Sequence, residues 1–452
     1  MRGTAMKFDY KRVIICAVLA LCLLFTTSCS YTLGLLINDG SGAGSAGGQD
    51  QPPQTNQQGG SNAGGTSDTQ EGNQNDDSDE IKFCPGTNDP SALDSLDPAT
   101  RTLLSTVAID AKLDVRTSYP YYDDLYYDND TTTEYTSYGS GVIFSLDREA
   151  GDAYVITNFH VVYNKDEVNT GGFSDTISLY LYGMENPQYA VPAKVVGGSM
   201  NYDIAILKVE GSEVLKNSMA VAATLGNSEE VRVRDEVFVV GNPEGYGIAT
   251  TEGIISVESE SLAMTGADGR TGITLRVMRT SAAINDGNSG GGLYDAEGRL
   301  IGIVCAKRTG AEVDNIGYAI PVNLAKALAD NILRNCDGVN DLSVKKCVVG
   351  IELVTASSGL VSDGKGNLII REEVKVSGLL ENSLMTDKMQ AGDIITAVTV
   401  DGVKTEVTRT YHITDAMLAA NAGSTVTITA TRDGTSFDAT VTIPETAVNS
   451  VK

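Results

Sequence analysis

The feature that most restricts the fold is a long succession of short β-type segments between Gly139 and Ala327. Apolar and β-branched residues alternate with polar ones, and glycine and asparagine separate the segments. This spacing is typical of strands joined by tight turns. It predicts an all-β architecture with two barrels. From Pro321 to Leu333, apolar residues instead recur near helical spacing, which predicts a helix.

Within this region one serine, Ser289, stands in a glycine-rich run from Ile284 to Leu293. Glycine adopts backbone angles that other residues avoid, so the run predicts a sharp turn that exposes a hydroxyl and directs N–H groups inward. Such donors stabilise the negative charge that develops on an attacked carbonyl oxygen. The alternative is an ordinary glycine-rich surface turn. The presence of partner residues elsewhere in the sequence decides between the two interpretations.

A nucleophilic serine needs a base, and histidine is the usual one near neutral pH. The chain has two histidines, and His160 follows a β-branched run that predicts a strand leading into a turn. Asp203 precedes an apolar strand, where a buried carboxylate would orient the imidazole and stabilise its charged form. A packing histidine and a turn aspartate are the alternatives. The order His, Asp, Ser is that of the chymotrypsin-type triad.

Three blocks resemble the triad segments of the HtrA/Deg family of trypsin-like serine proteases. They are Thr157–Val162, Tyr202–Val209 and Gly287–Gly291. Further blocks, in the same order as in the family, are similar to its barrel strands: Gly139–Ile143, Val239–Pro243, Gly253–Ser256 and Gly317–Pro321. The resemblance covers the chain from Leu103 to the C-terminus and implies two six-stranded, chymotrypsin-like β-barrels.

The resemblance implies an ATP-independent serine endopeptidase that needs no metal or cofactor. In this assignment Ser289 is the nucleophile, His160 is the general base and Asp203 fixes the histidine tautomer. The N–H groups of Gly287 and Ser289 form the oxyanion hole. The family also implies unfolded or damaged exported proteins as substrates, a small or aliphatic residue before the cut, and assembly into trimers or larger homo-oligomers.

Three positions depart from the family pattern. Asp286 and Gly292 stand where proline is usual, and Ser281 stands where an acidic residue is common. The first two leave open an alternative from another class, a peptide-binding, chaperone-like module with a weakly active or inactive protease domain. A narrower alternative is a signalling protease that cuts one anchored regulator when its C-terminal domain is occupied.

The segment 345–447 resembles a PDZ domain of the bacterial protease type. The blocks that carry the resemblance are Ala391–Val398, Asp401–Gly402 and Gly423–Gly434, with a helix predicted over Thr414–Ala420. A PDZ domain takes an extended peptide as an added strand, and a glycine-containing turn holds the terminal carboxylate. The residues that match this turn in position are Val348, Val349, Gly350 and Ile351, although they also fit a simple first strand. His412, near the helix start, is expected at the surface.

The N-terminus carries a membrane signal. Residues 1–12 are basic and are predicted to be cytoplasmic, and a largely apolar segment follows at 13–37. About 25 such residues can cross a bilayer with some tilt. A cleaved secretory signal and a lipoprotein anchored at Cys29 are the alternatives. Each possibility places the remaining chain outside the cytoplasm, and an uncleaved anchor is favoured.

Residues 38–90 are rich in Gly, Ser, Asn and Gln and contain few apolar residues, which predicts a disordered linker. The protease domain is then expected at 91–335. Within it, the stretch Tyr119–Tyr138 is dense in tyrosine, aspartate and threonine, and we predict that it is an exposed loop. This loop either regulates activity or is a variable insertion without a function of its own. The formal net charge of −26 argues against a nucleic-acid partner, which would need a basic face.

An exported chain can form disulfides, and four cysteines lie outside the anchor region: Cys84, Cys305, Cys336 and Cys347. Cys336 and Cys347 flank a turn-rich hinge, and we predict a bond between them, which would add about 3 kcal/mol in the chain-entropy model. Two free thiols are the alternative, since connectivity cannot be deduced from sequence. Cys305 is expected to be a small apolar filler.

Overall fold

The computed structural model describes residues 96–117, 131–307, 316–364 and 366–451. The predicted anchor at 13–37, the predicted linker at 38–90 and Cys84 lie outside these residues. Among the helices of the described residues, none has both the length and the apolar character needed to span a bilayer.

The described residues contain five α-helices and twenty strands. The helices are α1 (Pro98–Ser105), α2 (Phe159–Val162), α3 (Glu213–Lys216), α4 (Val322–Asn335) and α5 (Tyr411–Ala416). The first twelve strands are β1 (Thr106–Thr117), β2 (Thr131–Asp147), β3 (Asp152–Thr157), β4 (Thr176–Leu181), β5 (Val191–Ser199), β6 (Ile204–Val209), β7 (Glu236–Gly241), β8 (Ala249–Thr265), β9 (Gly272–Thr280), β10 (Gly292–Asp295), β11 (Leu300–Lys307) and β12 (Gly317–Pro321). The others are β13 (Val344–Cys347), β14 (Ile351–Ser362), β15 (Leu368–Leu379), β16 (Ile394–Val400), β17 (Val403–Glu406), β18 (Thr425–Arg432), β19 (Thr435–Thr442) and β20 (Val448–Val451).

Strands β1 to β12 form two closed six-stranded barrels. Barrel 1 has the order β1-β2-β3-β6-β5-β4, and barrel 2 has the order β10-β11-β12-β9-β8-β7. Because each barrel closes on itself, neither leaves an unpaired sheet edge. The predicted all-β architecture with two barrels is therefore confirmed.

Strand β6 is buried on both faces, which explains its nearly continuous apolar sequence. Ala205, Leu207 and Val209 point into the core of barrel 1. Ile204 and Ile206 face the opposite way, into a second core that includes helix α4. The apolar residues that predicted this helix are all buried: Val322, Ala325, Leu328, Ala329 and Ile332. The double burial gives a rigid support to the residue before β6, Asp203.

Position 292 is glycine because the ring of Tyr294 fills the adjacent space. An ideal Cβ at Gly292 would lie only 2.3 Å from Cε2 of Tyr294. Tyr294 is fully buried, and its hydroxyl lies 3.0 Å from Oγ of Ser105 and 3.2 Å from Oγ1 of Thr106. The aromatic ring thus occupies the volume that a proline side chain at 292 would need, and it connects barrel 2 to the junction of α1 and β1.

The segment predicted as one exposed loop, Tyr119–Tyr138, is partly strand. Residues 131–138 form the first half of β2 and pair with 110–117 of β1. The prediction was wrong for this half because its side chains are mostly exposed and polar, so they carry little of the apolar alternation that marks a half-buried strand. Residues 119–130 lie outside the described part of the chain.

The predicted disulfide between Cys336 and Cys347 is absent, because both residues are free thiols. Cys336 follows α4 and packs against the core between the barrels, with Sγ 3.4 Å from the carbonyl oxygen of Ser343. Cys347 lies in the core of the C-terminal sheet, with Sγ 3.1 Å from the carbonyl oxygen of Ala420. The hinge between them leads each side chain into a different core. Burial raises the pKa of the Cys336 thiol to about 11, which keeps it protonated.

The C-terminal region forms a six-stranded sheet with the order β14-β15-β16-β18-β19, in which β17 also pairs with β16. Strands β13 and β20 form a separate pair. Helix α5 and the short 3-10 turn Met417–Ala419 together occupy the region predicted as one helix, and α5 begins three residues earlier than predicted. The buried apolar residues of this region form a core of their own.

A polar cluster joins the start of α5 to barrel 2. His412 Nε2 lies 3.1 Å from the Glu229 carboxylate, which also accepts a hydrogen bond of 3.1 Å from the Tyr411 hydroxyl. Arg276 of β9 forms an ion pair with Asp415 and stacks 3.9 Å from the centre of the Tyr411 ring. His412, expected at the surface, is therefore part of an interdomain contact.

Candidate active site

His160 and Asp203 form a close pair on barrel 1. His160 lies in α2, directly after β3, and its Nδ1 lies 3.0 Å and 2.9 Å from the two carboxylate oxygens of Asp203. The backbone N–H of His160 also donates to Asp203, at 3.1 Å. Because the carboxylate can only accept, Nδ1 carries the hydrogen and Nε2 is the basic nitrogen. The sequence prediction placed these two residues in one site, and the structure brings them together.

Asp203 is fixed by its backbone as well as by its side chain. Its φ of 51° is in the left-handed region, which aspartate tolerates better than most residues. The amide of Asn158, a buried residue, donates to the Asp203 carbonyl at 2.8 Å. The N–H of Asp203 donates to the carbonyl of Met200 at 3.2 Å. These bonds hold the carboxylate under the imidazole.

The surroundings of His160 favour its charged form. Burial alone lowers the pKa of His160, but the negative charge of Asp203 and the hydrogen bond to it raise the pKa, and the net shift is upward. An imidazole with this environment can accept a proton in a reaction and hold it while a negative charge is present nearby. About a third of the His160 side chain is exposed, so the ring remains reachable from the cleft.

The turn that contains Ser289 packs against the end of β3. The N–H of Ser140 in β2 donates to the carbonyl of Ser289 at 2.8 Å, and the hydroxyl of Thr157 donates to the Ser140 carbonyl at 2.7 Å. An ideal Cβ at Gly290 would lie 2.3 Å from Oγ1 of Thr157. Since Thr157 ends β3 three residues before His160, the serine and the histidine face the same junction between the barrels.

Ser289 Oγ has no hydrogen bond to the His160 ring in the part of the chain that the structure describes. Bonds of this kind are often long in free enzymes and shorten when substrate binds. The Ser289 side chain is partly exposed, whereas its neighbours Asn288 and Gly290 are buried. The hydroxyl is therefore accessible from solvent while its backbone is fixed.

Two N–H groups of this turn are directed away from the protein's own acceptors. The carbonyl of Asp286 accepts from the N–H of Glu244 at 2.7 Å, and the carbonyl of Asn288 accepts from Gly291 at 2.9 Å. The peptides are trans, so the N–H groups of Gly287 and Ser289 point to the opposite sides. Neither N–H has an acceptor among the described residues. The turn thus offers two free donors next to the serine hydroxyl.

Hydrogen bonds fix Asp286 and Ser281, the two other residues that depart from the family pattern. The carbonyl of Asp286 is held by Glu244, so a hydrogen bond fixes the segment that a proline ring would otherwise stiffen. The hydroxyl of Ser281 accepts from the N–H of Ile254 at 3.1 Å, and its own N–H donates to Ile254 at 3.0 Å. Ser281 therefore serves to attach its segment to β8.

Cys305 on β11 is buried, as expected for a small apolar filler. Burial, and secondarily the charge of Asp203, raises the pKa of the Cys305 thiol well above its ordinary value. A protonated, buried thiol is a poor nucleophile. This cysteine is therefore no rival to Ser289.

The second predicted site is at the start of the C-terminal sheet. Val348 is partly exposed, Val349 is buried, Gly350 has a φ of 78° and Ile351 begins β14. The carbonyls of Val349 and Gly350 accept from the N–H groups of Leu384 and Leu380 at 3.0 Å and 2.9 Å. These four residues form a tight turn before an edge strand, far along the chain from Ser289.

Sequence reasoning missed three residues that shape the first site. Asn158 holds Asp203, Glu244 holds Asp286, and Ser140 bonds to the serine turn through both its backbone and its side chain. Ser140 and Asn158 do stand inside blocks that carry the family resemblance, which was the available signal. Their partners are distant in sequence, so the contacts themselves could not be read from it.

Two closed six-stranded barrels, with a histidine–aspartate pair on one and a glycine-rich serine turn on the other, define the class of trypsin-like serine peptidases. Residues 139–303 match the trypsin-like peptidase domain family. The chain is 32% identical over 319 residues to the serine protease Do-like HtrA of Lactococcus lactis subsp. cremoris (strain MG1363), a match that covers 68% of this chain and 70% of that protein. The chain belongs to the HtrA family of serine proteases and is a serine endopeptidase.

Other proteins are also similar to this chain. The serine protease Do-like HtrA of Bacillus subtilis (strain 168) is 38% identical over 197 residues, which cover 43% of this chain and 39% of that protein. Among solved structures, one of the HtrA-type protease AlgW with a tripeptide is 25% identical, covers 77% of this chain and 95% of that chain, and superposes with a TM-score of 0.48.

Proposed function

We propose that this endopeptidase cleaves peptide bonds through a triad of Ser289, His160 and Asp203. The observation that carries the proposal is the pair of contacts from His160 Nδ1 to the Asp203 carboxylate, at 3.0 Å and 2.9 Å. They fix the ring so that its basic nitrogen, Nε2, points away from Asp203. The proximity of the Ser289 turn to the end of β3 supports Ser289 as the proton donor.

Each step of the reaction has a residue suited to it. Ser289 Oγ attacks the substrate carbonyl while His160 Nε2 takes its proton. The oxyanion that forms accepts hydrogen bonds from the N–H groups of Gly287 and Ser289. His160 then gives the proton to the leaving amine, and water attacks the acyl-enzyme with His160 again as base. Asp203 stabilises the imidazolium in both halves of the reaction.

Labelling with a fluorophosphonate tests the assignment. This probe phosphonylates only an activated serine, so the full-length chain should be labelled once, at Ser289, and should degrade casein. The alternative of a peptide-binding, chaperone-like module predicts no labelling and no casein cleavage, with peptide binding retained. The donors at Gly287 and Ser289, which face no acceptor among the described residues, favour the active enzyme.

Substrates are proposed to be unfolded or damaged exported proteins, recognised in part by the C-terminal sheet acting as a PDZ domain. In the described sheet, β14 is an edge strand and can pair with an extended peptide. The carbonyl of Val349 accepts from Leu384 and from the Ser383 hydroxyl, so the N–H of Gly350 is directed away from them. Such an N–H next to a strand edge suits a terminal carboxylate.

Peptide binding to this domain can be measured by fluorescence anisotropy on the Ser289→Ala chain. A peptide with a free C-terminal carboxylate should bind, and the same peptide with a C-terminal amide should bind more weakly by about tenfold or more, as a charged hydrogen bond is lost. Equal affinity for the two peptides would contradict carboxylate capture by residues 348–351.

The chain is also proposed to assemble into homo-oligomers through an aromatic surface formed by Tyr138 and Tyr246. Their side chains are 55% and 88% exposed. An ideal Cβ at Gly245 would lie 3.6 Å from the Tyr138 ring, so Tyr138 lies beside the residue that directly precedes Tyr246. Tyrosines in such positions are enriched at protein interfaces. The surface adjoins Glu244, which holds the serine turn.

Replacing Tyr246 with alanine should lower the oligomeric mass measured by light scattering after size exclusion. The matched control is Leu360→Ala, which removes another exposed apolar side chain, 66% exposed, from the C-terminal sheet. The control should retain the mass of the unaltered chain. If the unaltered chain is monomeric, or if Tyr246→Ala leaves the oligomeric mass unchanged, this surface does not mediate oligomerisation.

Attachment to the membrane through residues 13–37, with the catalytic part outside the cytoplasm, is proposed from the sequence. The segment is apolar and long enough to span, and basic residues precede it. The chain should stay in the membrane pellet after alkaline carbonate extraction and keep its N-terminal residues. A mature N-terminus at Cys29 would establish the lipoprotein alternative instead.

A further inference from the structure

We propose that Ser140 positions the two oxyanion donors, acting through the peptide bond that lies between them. This inference rests on the proposed catalytic role of the Ser289 turn and adds a residue from the opposite barrel to it. Ser140 belongs to β2 of barrel 1, and its side chain is fully buried at the junction with barrel 2. It touches no substrate atom, so it is a positioning residue.

The direction of each hydrogen bond at the Ser140 hydroxyl is fixed by its partners. The N–H of Asn242 can only donate, so Oγ accepts from it, at 2.8 Å. The hydroxyl hydrogen is then available for the carbonyl oxygen of Gly287, which lies 2.6 Å from Oγ. The hydroxyl therefore joins a loop of barrel 2 to the serine turn with both of its hydrogen-bonding functions used.

The bonded carbonyl belongs to the peptide that links Gly287 to Asn288. The two free N–H groups, on Gly287 and Ser289, lie in the peptides on either side of it. Those flanking peptides are held by the backbone donors Glu244 and Gly291. The central peptide is held at both ends: its carbonyl accepts from the Ser140 hydroxyl at 2.6 Å, and its N–H, on Asn288, donates to the carbonyl of Asn285 at the longer distance of 3.1 Å. A rotation of the central peptide would turn both donors away from a common point.

Ser140 also links the turn that carries the two N–H donors to barrel 1, which carries the base His160. Its N–H donates to the carbonyl of Ser289 at 2.8 Å, and its carbonyl accepts from the hydroxyl of Thr157, on the strand that leads to His160, at 2.7 Å. An ideal Cβ at Gly290 would lie 2.1 Å from the Ser140 carbonyl oxygen, and one at Gly241 would lie 3.0 Å from Oγ. Such close packing leaves little space for a water molecule to replace the hydroxyl.

The Ser140→Ala variant tests the inference through the split between kcat and KM. It should lower kcat by about 10- to 100-fold, because both donors lose their alignment with the transition state. KM should stay within about twofold, since ground-state binding does not use the oxyanion donors. Affinity for a peptide boronate, whose tetrahedral adduct places an oxygen in the oxyanion hole, should fall by the same factor as kcat.

A matched control separates positioning from stability. Ser218, a buried residue in the segment that follows α3, donates to the carbonyl of Leu215 at 3.1 Å and accepts from the N–H of Ala220 at 3.2 Å. Ser218→Ala loses the same two kinds of hydrogen bond away from the turn, so it should lower the urea midpoint without changing kcat. The Ser140→Cys variant keeps a donor and an acceptor at this position, although both are weaker and the sulfur is larger than the oxygen, and its kcat should fall between those of the alanine variant and the unaltered chain.

The outcomes distinguish this inference from the function on which it rests. If the unaltered chain is labelled by fluorophosphonate at Ser289 and cleaves peptides, but Ser140→Ala and Ser140→Cys retain its kcat and boronate affinity, the positioning role is wrong and the triad stands. An equal loss of kcat in Ser218→Ala would also reject the positioning role. If the unaltered chain is not labelled, the proposed catalytic function fails and the role of Ser140 falls with it.

Discussion

Replacing Ser289 with alanine should lower kcat on a fluorogenic peptide by about 10⁵- to 10⁶-fold. The reason is that the covalent route disappears: without Oγ no acyl-enzyme can form, and His160 has no hydroxyl to deprotonate. Residual turnover of about 10³- to 10⁴-fold over the uncatalysed reaction should remain, because the oxyanion donors and the binding cleft are unchanged. The variant should also lose fluorophosphonate labelling completely.

The size of this effect decides between a protease and a peptide-binding, chaperone-like module. Ser218→Ala is the control, because it removes a buried serine hydroxyl from the segment that follows α3, without touching the serine turn. Its labelling and kcat should match those of the unaltered chain. Casein cleavage by Ser289→Ala at a near-normal rate, in a preparation cleared of other proteases, would remove Ser289 from the mechanism.

The parts of the fold that could be predicted from sequence are those in which a single face or both faces of an element are buried. Helix α4 was predicted from apolar residues at helical spacing, and those residues face the core between the barrels. Strand β6 was predicted from an apolar run interrupted only by Lys208, and it is covered on both sides. The exposed half of β2, residues 131–138, lacked such a signal and was mistaken for a loop.

The contacts that shape the site could not be predicted, because they join residues far apart in sequence. Ser140 bonds to Gly287 across 147 positions and to Asn242 across 102. Sequence spacing suggested a bond between Cys336 and Cys347, but spacing says nothing about which core each side chain enters. Likewise, the sequence does not explain why position 292 is glycine and not proline. The structure explains it, because the Tyr294 ring occupies the space that a proline side chain would need.

The second large effect is expected for Asp203→Asn, which should lower kcat by about 10⁴-fold. The carboxylate accepts from both Nδ1 and the backbone N–H of His160, at 2.9–3.1 Å. An amide has only one oxygen to accept with, and its NH₂ group would favour the tautomer with hydrogen on Nε2. That nitrogen could then no longer take the proton of Ser289. Asp152→Asn is the control, since Asp152 lies at the opposite end of β3 and accepts from the N–H of Gly211.

The same variant should change the pH dependence in a defined direction. Burial lowers the pKa of His160, and it is Asp203 that makes the net shift upward. Without the carboxylate charge, burial prevails and the pKa of His160 falls. Because the base must be neutral to act, the acid limb of kcat/KM should move to lower pH in Asp203→Asn, even though the maximal rate is much smaller.

The free energy of unfolding should depend on pH in the direction that the pKa shift of His160 implies. In the unaltered chain the folded state binds the His160 proton more tightly than the unfolded chain does, because its folded pKa lies above the ordinary value of 6.5. This residue therefore adds to the free energy of unfolding below that value, and the contribution is lost as pH rises through the folded pKa. In Asp203→Asn the partly buried imidazole should oppose folding at acidic pH instead. Urea denaturation at pH values below and above the pKa of His160 measures this difference between the two chains. If both chains show the same pH dependence of stability, Asp203 does not control the charge of His160.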